Sequence, residues 1–166
     1  DVPAGSVGEV LVRGPQLMSG YWALEDATRT ALGDGWLRTG DAGYLDSEGF
    51  LYISDRVKDM IISGGENIYP REIEEVLFTM EGIADVAVIG VPSQRWGESP
   101  IAFVVPRPGA DLTEHDVLEH CRADLARFKC PAEVVFVDSL PRSAVGKVLK
   151  RDLRAPYWEG MARGIN

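Results

Sequence analysis

The chain has 166 residues, of which 45% are hydrophobic and 26% charged, as expected for a globular protein that can bury a core. Its net charge of −9 argues against a nucleic-acid-binding protein, because such proteins carry excess basic residues to neutralise phosphates. No run of about 18 apolar residues exists, so the sequence predicts no transmembrane segment. The two cysteines, Cys121 and Cys130, form no disulfide framework and are typical of a reducing compartment.

The first 54 residues are rich in glycine, and their pattern predicts β structure. Residues 9–13 alternate between polar and apolar side chains, as a half-buried strand does. Residues 43–46 and 50–53 flank a short segment ending in Gly49, which predicts a hairpin. This part is too short to bury a core alone, and the chain opens with Asp1. We therefore expect residues 1–54 to be the tail of a larger domain.

The composition changes at a dense run of charges, residues 55–59. From the sequence alone this run is as compatible with a solvated linker without function as with a functional linker between domains. Residues 60–62 then form a short apolar strand that ends in Gly64 and Gly65.

The remaining residues alternate between predicted helices and strands. Pro70 begins a helix whose apolar residues share one face: Ile73, Val76, Leu77 and Met80. Residues 86–89, 101–105 and 134–137 are buried strands, and Thr113 opens a second helix with a capping box. A last short helix starts near Leu149. This order predicts an α+β domain with helices over a mostly antiparallel sheet.

Besides the charged run, three segments could carry chemistry. Residues 141–147 place one lysine, Lys147, after a glycine, where its charge can assist the approach of two anions. The alternative for Lys147 is an exposed surface lysine in a turn. Asp41 follows Gly40 and could bind a vicinal diol such as a ribose, but turn aspartates are more common. Gly64 and Gly65 allow close approach of a ligand to the backbone.

A metal site is not predicted. His115 and His120 lie five residues apart, whereas ligands on one helical face are three or four residues apart.

Six motifs, taken in order, resemble those of the adenylate-forming superfamily, which contains acyl-CoA synthetases, adenylation domains and beetle luciferases. They extend over most of the chain: residues 8–15, 18–22, 35–41, 55–59, 62–74 and 141–147. The resemblance is to the C-terminal part of an AMP-forming acyl-CoA synthetase. It implies that residues 1–54 are the β-rich tail of the large N-terminal domain, residues 55–58 the hinge, and residues 59–166 the mobile C-terminal lid.

The resemblance also implies a two-step reaction. A fatty acid or another carboxylic acid attacks ATP to give an acyl-adenylate and pyrophosphate, and the thiol of CoA then displaces AMP. The C-terminal domain rotates between the two steps.

Residue roles follow from the same resemblance. Asp41 and Arg56 match the residues that bind the nucleotide ribose, and Lys58 matches the hinge. Lys147 matches the lysine that bridges carboxylate and phosphate during adenylation. Gly64 and Gly65 match the lining of the pantetheine tunnel.

The family's phosphate loop and acyl pocket are missing from this sequence. We therefore expect the chain alone to be inactive, with ATP/AMP and Mg²⁺ bound together with its own N-terminal domain. Alternatives are a fatty acyl-AMP ligase that loads a carrier protein and a non-catalytic interaction module. The resemblance further implies a cytoplasmic protein whose Lys147 is a target of a lysine acetyltransferase and deacetylase.

Overall fold

The computed structural model describes residues 2–161. These residues divide into two units, of which the first ends at Lys58 and the second begins at Asp59. No helix in the described residues is long and apolar enough to cross a membrane.

The first unit is built on a three-stranded antiparallel sheet in the order β1-β2-β3. Its elements are β1 (Gly8–Val12), α1 (Glu25–Ala31), β2 (Leu37–Leu45) and β3 (Leu51–Arg56). The predicted hairpin is present, and Asp46 Oδ1 holds its turn by accepting the backbone N–H groups of Glu48 and Phe50, each at 2.9 Å. Helix α1 was not predicted, because its sequence has no apolar stripe and none of its residues is buried.

The first unit has almost no core of its own. Ala42 is the one buried hydrophobic residue among those described in this unit. By contrast, large apolar side chains lie exposed, including Trp22 at 96% and Phe50 at 62% exposure. Isolated exposed apolar residues are common on proteins, but a unit that buries so little cannot offset its conformational entropy alone.

The second unit is an α+β domain, as predicted. Its helices are α2 (Pro70–Phe78), α3 (Glu114–Asp124) and α4 (Lys150–Arg154). Its strands are β4 (Ile61–Ser63), β5 (Glu66–Ile68), β6 (Ile83–Ser93), β7 (Gly97–Pro106) and β8 (Glu133–Phe136). The sheet order is β5-β4-β7-β6, with β8 pairing parallel to β7 and all other pairs antiparallel.

Local sequence explains both longer helices. Pro70 occupies the first turn of α2, where its missing N–H costs nothing, and Ile73 and Leu77 on the predicted face are fully buried. In α3, Thr113 and Asp116 form the predicted capping box. Asp116 N–H donates to Thr113 Oγ1 at 3.2 Å, and Thr113 N–H donates to Asp116 Oδ2 at 3.0 Å.

The long β6–β7 hairpin is buried on both faces, which explains its continuous apolar runs. On one face α2 and α3 cover it, forming a core that includes Leu77, Val88 and Val117. On the other face a second cluster, built around Ile89 and Phe103, packs against the segment that contains α4. The C-terminal segment is therefore part of the folded domain and holds the far side of the sheet.

Strand β6 is the outermost strand of the sheet, and side chains occupy part of its outer edge. Val88 N–H donates to Glu74 Oε1 at 2.8 Å. Two residues further along, the Gly90 carbonyl accepts the indole N–H of Trp158 at 3.0 Å. These backbone groups have side-chain partners in place of a neighbouring strand.

Candidate active-site residues in the two units

Lys147 lies in a hydrogen-bonded loop that joins β8 to α4. Arg142 and Val148 form an antiparallel bridge across the loop, and Ser143 N–H donates to the Lys147 carbonyl at 2.8 Å. Gly146 N–H donates to the Ser143 carbonyl at 2.9 Å and has φ +81°, a conformation that L side chains rarely adopt. No atom lies within 4 Å of a Cβ placed at Gly146, so packing does not exclude a side chain there. The positive φ angle alone therefore favours glycine before the lysine.

Arg142 belongs to this loop and connects it to strand β6. One guanidinium nitrogen donates to the Gly146 carbonyl at 2.6 Å, and another pairs with the carboxylate of Asp85 on β6. Lys147 itself is exposed, and its ammonium makes no ion pair with any described residue. The loop thus holds an available positive charge on a fixed backbone.

Asp41 and Arg56 lie side by side in the first unit. They face each other in the register of β2 and β3, and Arg56 Nη1 lies 3.0 Å from Asp41 Oδ1. Asp41 N–H donates to Thr39 Oγ1 at 3.0 Å, and Gly40 turns the strand at φ +71°. The pair is partly exposed, so both side chains can exchange this contact for a ligand.

Lys58 is exposed and lies in a 3₁₀ turn, Val57–Asp59, where the first unit ends. The next residue, Asp59, is 9% exposed and pairs with Arg154 of α4. This partner could not be predicted from the sequence, because the charged run is equally compatible with a solvated linker and Arg154 is 95 positions away.

Gly64 and Gly65 form the two-residue turn of the β4–β5 hairpin, which was not predicted from the sequence. Their φ values of +60° and +89° are those that a type I′ turn requires. A Cβ at Gly64 would lie 3.0 Å from the ring of Trp96, and Gly64 N–H donates to the Trp96 carbonyl at 2.8 Å. Nothing lies within 4 Å of a Cβ placed at Gly65. Gly64 is therefore required both by its positive φ angle and by its contact with Trp96, whereas Gly65 is required by its positive φ angle alone.

The cysteines do not resemble nucleophiles. Burial raises the pKa of Cys121 to about 12 and also raises the pKa of Cys130, so both thiols stay protonated near neutral pH. No group of three or more His, Cys, Asp or Glu side chains in residues 2–161 could hold a metal ion. The candidate chemistry therefore depends on Lys147, on the Asp41–Arg56 pair and on the glycine turn.

Known proteins resemble this chain in sequence and in fold. Residues 72–147 match the family model of the AMP-binding enzyme C-terminal domain, so the match ends on the candidate lysine. The chain contains the C-terminal domain of the AMP-binding enzymes. The family resemblance inferred from the six motifs is thereby confirmed, as is the α+β fold of the C-terminal domain.

Three related adenylate-forming ligases illustrate the similarity. A 2-succinylbenzoate–CoA ligase of Bacillus cereus is 50% identical over 153 residues, which are 92% of this chain and 31% of the relative. The fatty acid–[acyl-carrier-protein] ligase ScoC of Streptomyces coeruleorubidus is 47% identical over 166 residues, or 100% and 32% of the two proteins. The crystal structure of ATP-bound MatB from Rhodopseudomonas palustris superposes with a TM-score of 0.87 at 43% identity, covering 94% of this chain and 31% of MatB.

The chain spans about a third of the length of these adenylate-forming ligases. The matched third includes every candidate residue described above.

Proposed function

We propose that this chain is the C-terminal part of an ATP-dependent, AMP-forming ligase that joins a carboxylic acid to coenzyme A. The observation that carries the proposal is the available ammonium of Lys147 on a braced loop where the family match ends. In the first step, a carboxylate oxygen attacks the α-phosphorus of ATP and pyrophosphate leaves. In the second, the thiol sulfur attacks the acyl carbonyl carbon, AMP leaves and the thiol proton passes to solvent.

Lys147 acts in the first step. The attacking carboxylate and the α-phosphate are both negative, and a compact ammonium between them lowers the energy of their approach. The hydrogen bonds of the loop fix the backbone, so that little reorganisation is needed when the substrates arrive. Loss of one such electrostatic contact typically lowers kcat by about 10²–10³-fold.

The other candidates serve binding and rearrangement. Asp41, held by Arg56, accepts hydrogen bonds from the two ribose hydroxyls of the nucleotide. Rotation at Lys58 replaces the Lys147 loop by the face that carries Gly64 and Gly65. The space beside Gly65, where no atom lies within 4 Å of an added Cβ, is open to the thin pantetheine arm of CoA.

The proposal requires a further domain that supplies the phosphate loop, the acyl pocket and the surroundings of the nucleotide. The apolar surface of the first unit supports this requirement, because it needs a partner that covers it. The described residues form no metal site, so we assign Mg²⁺ to ATP and to that domain and derive no step from it. The chain alone is then inactive, and the cytoplasm, which supplies ATP and CoA, is its compartment.

A second acceptor is favoured by one relative. Because ScoC is named as a ligase for an acyl-carrier protein, the thiol in the second step could belong to a carrier-bound phosphopantetheine. The two functions share the first step and differ in their need for CoA.

The test uses the protein encoded when the reading frame is continued upstream of Asp1. AMP release is measured with a panel of carboxylic acids, with and without CoA, for the wild type, for Lys147→Ala and for the control Arg151→Ala. Arg151 is an exposed cation on α4, with 90% of its side chain accessible. We expect AMP release that needs both acid and CoA, falls by about 10²-fold or more in Lys147→Ala and persists in Arg151→Ala.

Three outcomes decide between the functions. Acid-dependent AMP that needs a carrier protein in place of CoA would select the alternative acceptor. Activity that is indifferent to Lys147→Ala would refute the role of the lysine. A reading frame without any upstream domain, or no acid-dependent AMP, would leave the non-catalytic interaction module as the better description.

Regulation by acetylation of Lys147 follows from the same chemistry. Acetylation removes the charge, so adenylation should stop while thioester formation from supplied acyl-adenylate continues. The measurement compares both half-reactions before and after enzymatic acetylation of the whole protein. An unchanged adenylation rate at full acetylation would contradict this regulation.

A further inference from the structure

Helix α4 follows the Lys147 loop and carries two cations that are mostly buried and paired. Lys150 Nζ lies 2.7 Å from Glu74 Oε1, and these side chains are 16% and 15% exposed. The Arg154 guanidinium pairs with the Asp59 carboxylate, with side chains 13% and 11% exposed. The two most buried ion pairs of the described residues therefore belong to one short helix.

The two pairs are joined inside the helix, because Arg154 Nε donates to the Lys150 carbonyl at 3.3 Å. A helix of five residues is far too short to be stable alone. Its order must come from these contacts and from packing, since Leu153 and Tyr157 lie against the second core cluster. The ring of Tyr157 meets that of Phe103 edge-on, with centroids 6.3 Å apart.

The positions of the two pairs along the chain give the helix its significance. Asp59 directly follows Lys58, the predicted hinge residue. Lys150 comes three residues after Lys147, the proposed adenylation lysine. One end of α4 is thus tied to the first residue after the hinge, and the other continues into the loop that carries the charge.

We propose that α4 is a strut between the hinge and the Lys147 loop, and that Arg154 and Asp59 are positioning residues for adenylation. The inference rests on the proposed function. With Asp59 anchored, rotation is confined to the residues before it and moves the Lys147 loop as part of a rigid body. Without the Asp59–Arg154 ion pair, motion of the backbone at Asp59 would also displace Lys147. A displacement of about 1 Å at a reacting group can cost about 10²-fold in rate.

A merely structural role would not require these charges. Replacing a buried ion pair by well-packed apolar residues is often neutral for stability, so a buried pair is weak evidence for a purely stabilising function. The directional fork of an arginine does, however, fix two groups at once, and Arg154 contacts both Asp59 and the Lys150 carbonyl. A lysine at this position would keep the charge and lose this geometry.

The experiment separates the two half-reactions in the full-length protein. Adenylation is measured as acid-dependent pyrophosphate release, and the second step as thioester formation from supplied acyl-adenylate and CoA. The variants are Arg154→Gln, Arg154→Lys and the matched control Arg151→Gln on the same helix. We expect Arg154→Gln to lower the kcat of adenylation by about 10- to 100-fold, while the KM for ATP and the rate of the second step change less than about twofold.

Arg154→Lys should fall between the wild type and Arg154→Gln, and Arg151→Gln should match the wild type in both steps. Equal losses in both steps, accompanied by a lower Tm, would show that the pair is only structural and would overturn the strut. So would an unchanged adenylation rate in a folded Arg154→Gln protein. If Arg154→Gln does not fold, the same comparison is made with Arg154→Lys. A loss in adenylation larger than the loss in the second step supports the strut, and equal losses overturn it.

Lys147→Ala, measured in the same assay, distinguishes failure of the strut from failure of the proposed function. If Lys147→Ala abolishes adenylation and the Arg154 variants do not lower it, only the strut fails. If the wild type shows no acid-dependent pyrophosphate release, the proposed function fails and the strut fails with it.

Discussion

Replacing Glu74 by glutamine should destabilise the second unit strongly, because Glu74 meets two buried partners. Its Oε1 accepts from Val88 N–H at 2.8 Å and from Lys150 at 2.7 Å, and the Glu74 and Lys150 side chains are about four-fifths or more buried. A glutamine can still accept from Val88, so the main loss is the charge opposite Lys150. The ammonium would then remain in a site that water reaches poorly.

The magnitude follows from this burial. Removing one member of a buried ion pair costs about 3–5 kcal/mol, and the remaining exposure here favours the lower end, about 3 kcal/mol. In a domain of this size each kcal/mol lowers Tm by about 4 °C, so we expect a shift of about 12 °C. The adjacent Glu75 is the matched control, since it pairs with Arg71 at 2.8 Å but is 65% exposed. Glu75→Gln should cost only about 0.5 kcal/mol.

The assay is thermal and urea unfolding of the 166-residue chain, followed by far-ultraviolet circular dichroism at neutral pH. A third variant, Glu74→Gln combined with Lys150→Met, removes both charges, keeps an acceptor for the Val88 N–H and should recover most of the loss, because no unpaired charge remains. Equal Tm values for Glu74→Gln and Glu75→Gln would refute the reasoning. A double variant no more stable than Glu74→Gln would show that the unpaired Lys150 ammonium is not the source of the loss.

Three further predictions concern stability. Alanine at Gly64 or Gly65 should each cost about 1–2 kcal/mol through positive φ. When Trp96 is first replaced by alanine, unfolding assays should show a smaller loss of stability for Gly64→Ala and an unchanged loss for Gly65→Ala. If removing the Trp96 ring changed both losses equally, the packing contact at Gly64 would be disproved. Leu77→Ala should lower the free energy of unfolding by about 2–5 kcal/mol, because the side chain is fully buried, and a loss below 1 kcal/mol, roughly, would contradict this. The pKa of Cys121 is raised by burial to about 12, so above pH 9 only the unfolded chain loses this proton. The contribution of this thiol to stability should therefore fall as pH rises from 9 towards 12, by at most about 1.4 kcal/mol per pH unit, and Cys121→Ala should remove that contribution while the one from Cys130 remains.

Local patterns allowed much of the fold to be predicted. The spacing of Ile73 and Leu77 gave α2, and Thr113 with its capping box gave the start of α3. The Asp46–Phe50 turn gave the first hairpin. These features depend on residues within one or two turns of each other, and such short-range rules hold in most tertiary contexts.

Features that depend on distant partners could not be predicted. Nothing near Glu74 in the sequence indicates its partner Lys150, which belongs to α4. Asp59 resembled part of a linker until the fold placed Arg154 beside it. Strand β6 extends from Ile83 to Ser93, well beyond its apolar run, because its ends are held by pairing with β7. The roles of the site residues stay predictions until the half-reactions are measured.

The covered edge of β6 also bears on how the second unit avoids pairing with a strand of another chain. An eleven-residue outer strand with free backbone groups is a template on which a second copy can add a strand, the first step towards aggregation. In this domain the Glu74 carboxylate and the Trp158 indole already occupy two of those positions. A truncated protein that ends before Trp158 would lose the indole that covers the Gly90 carbonyl. Self-association through β6 would then become easier.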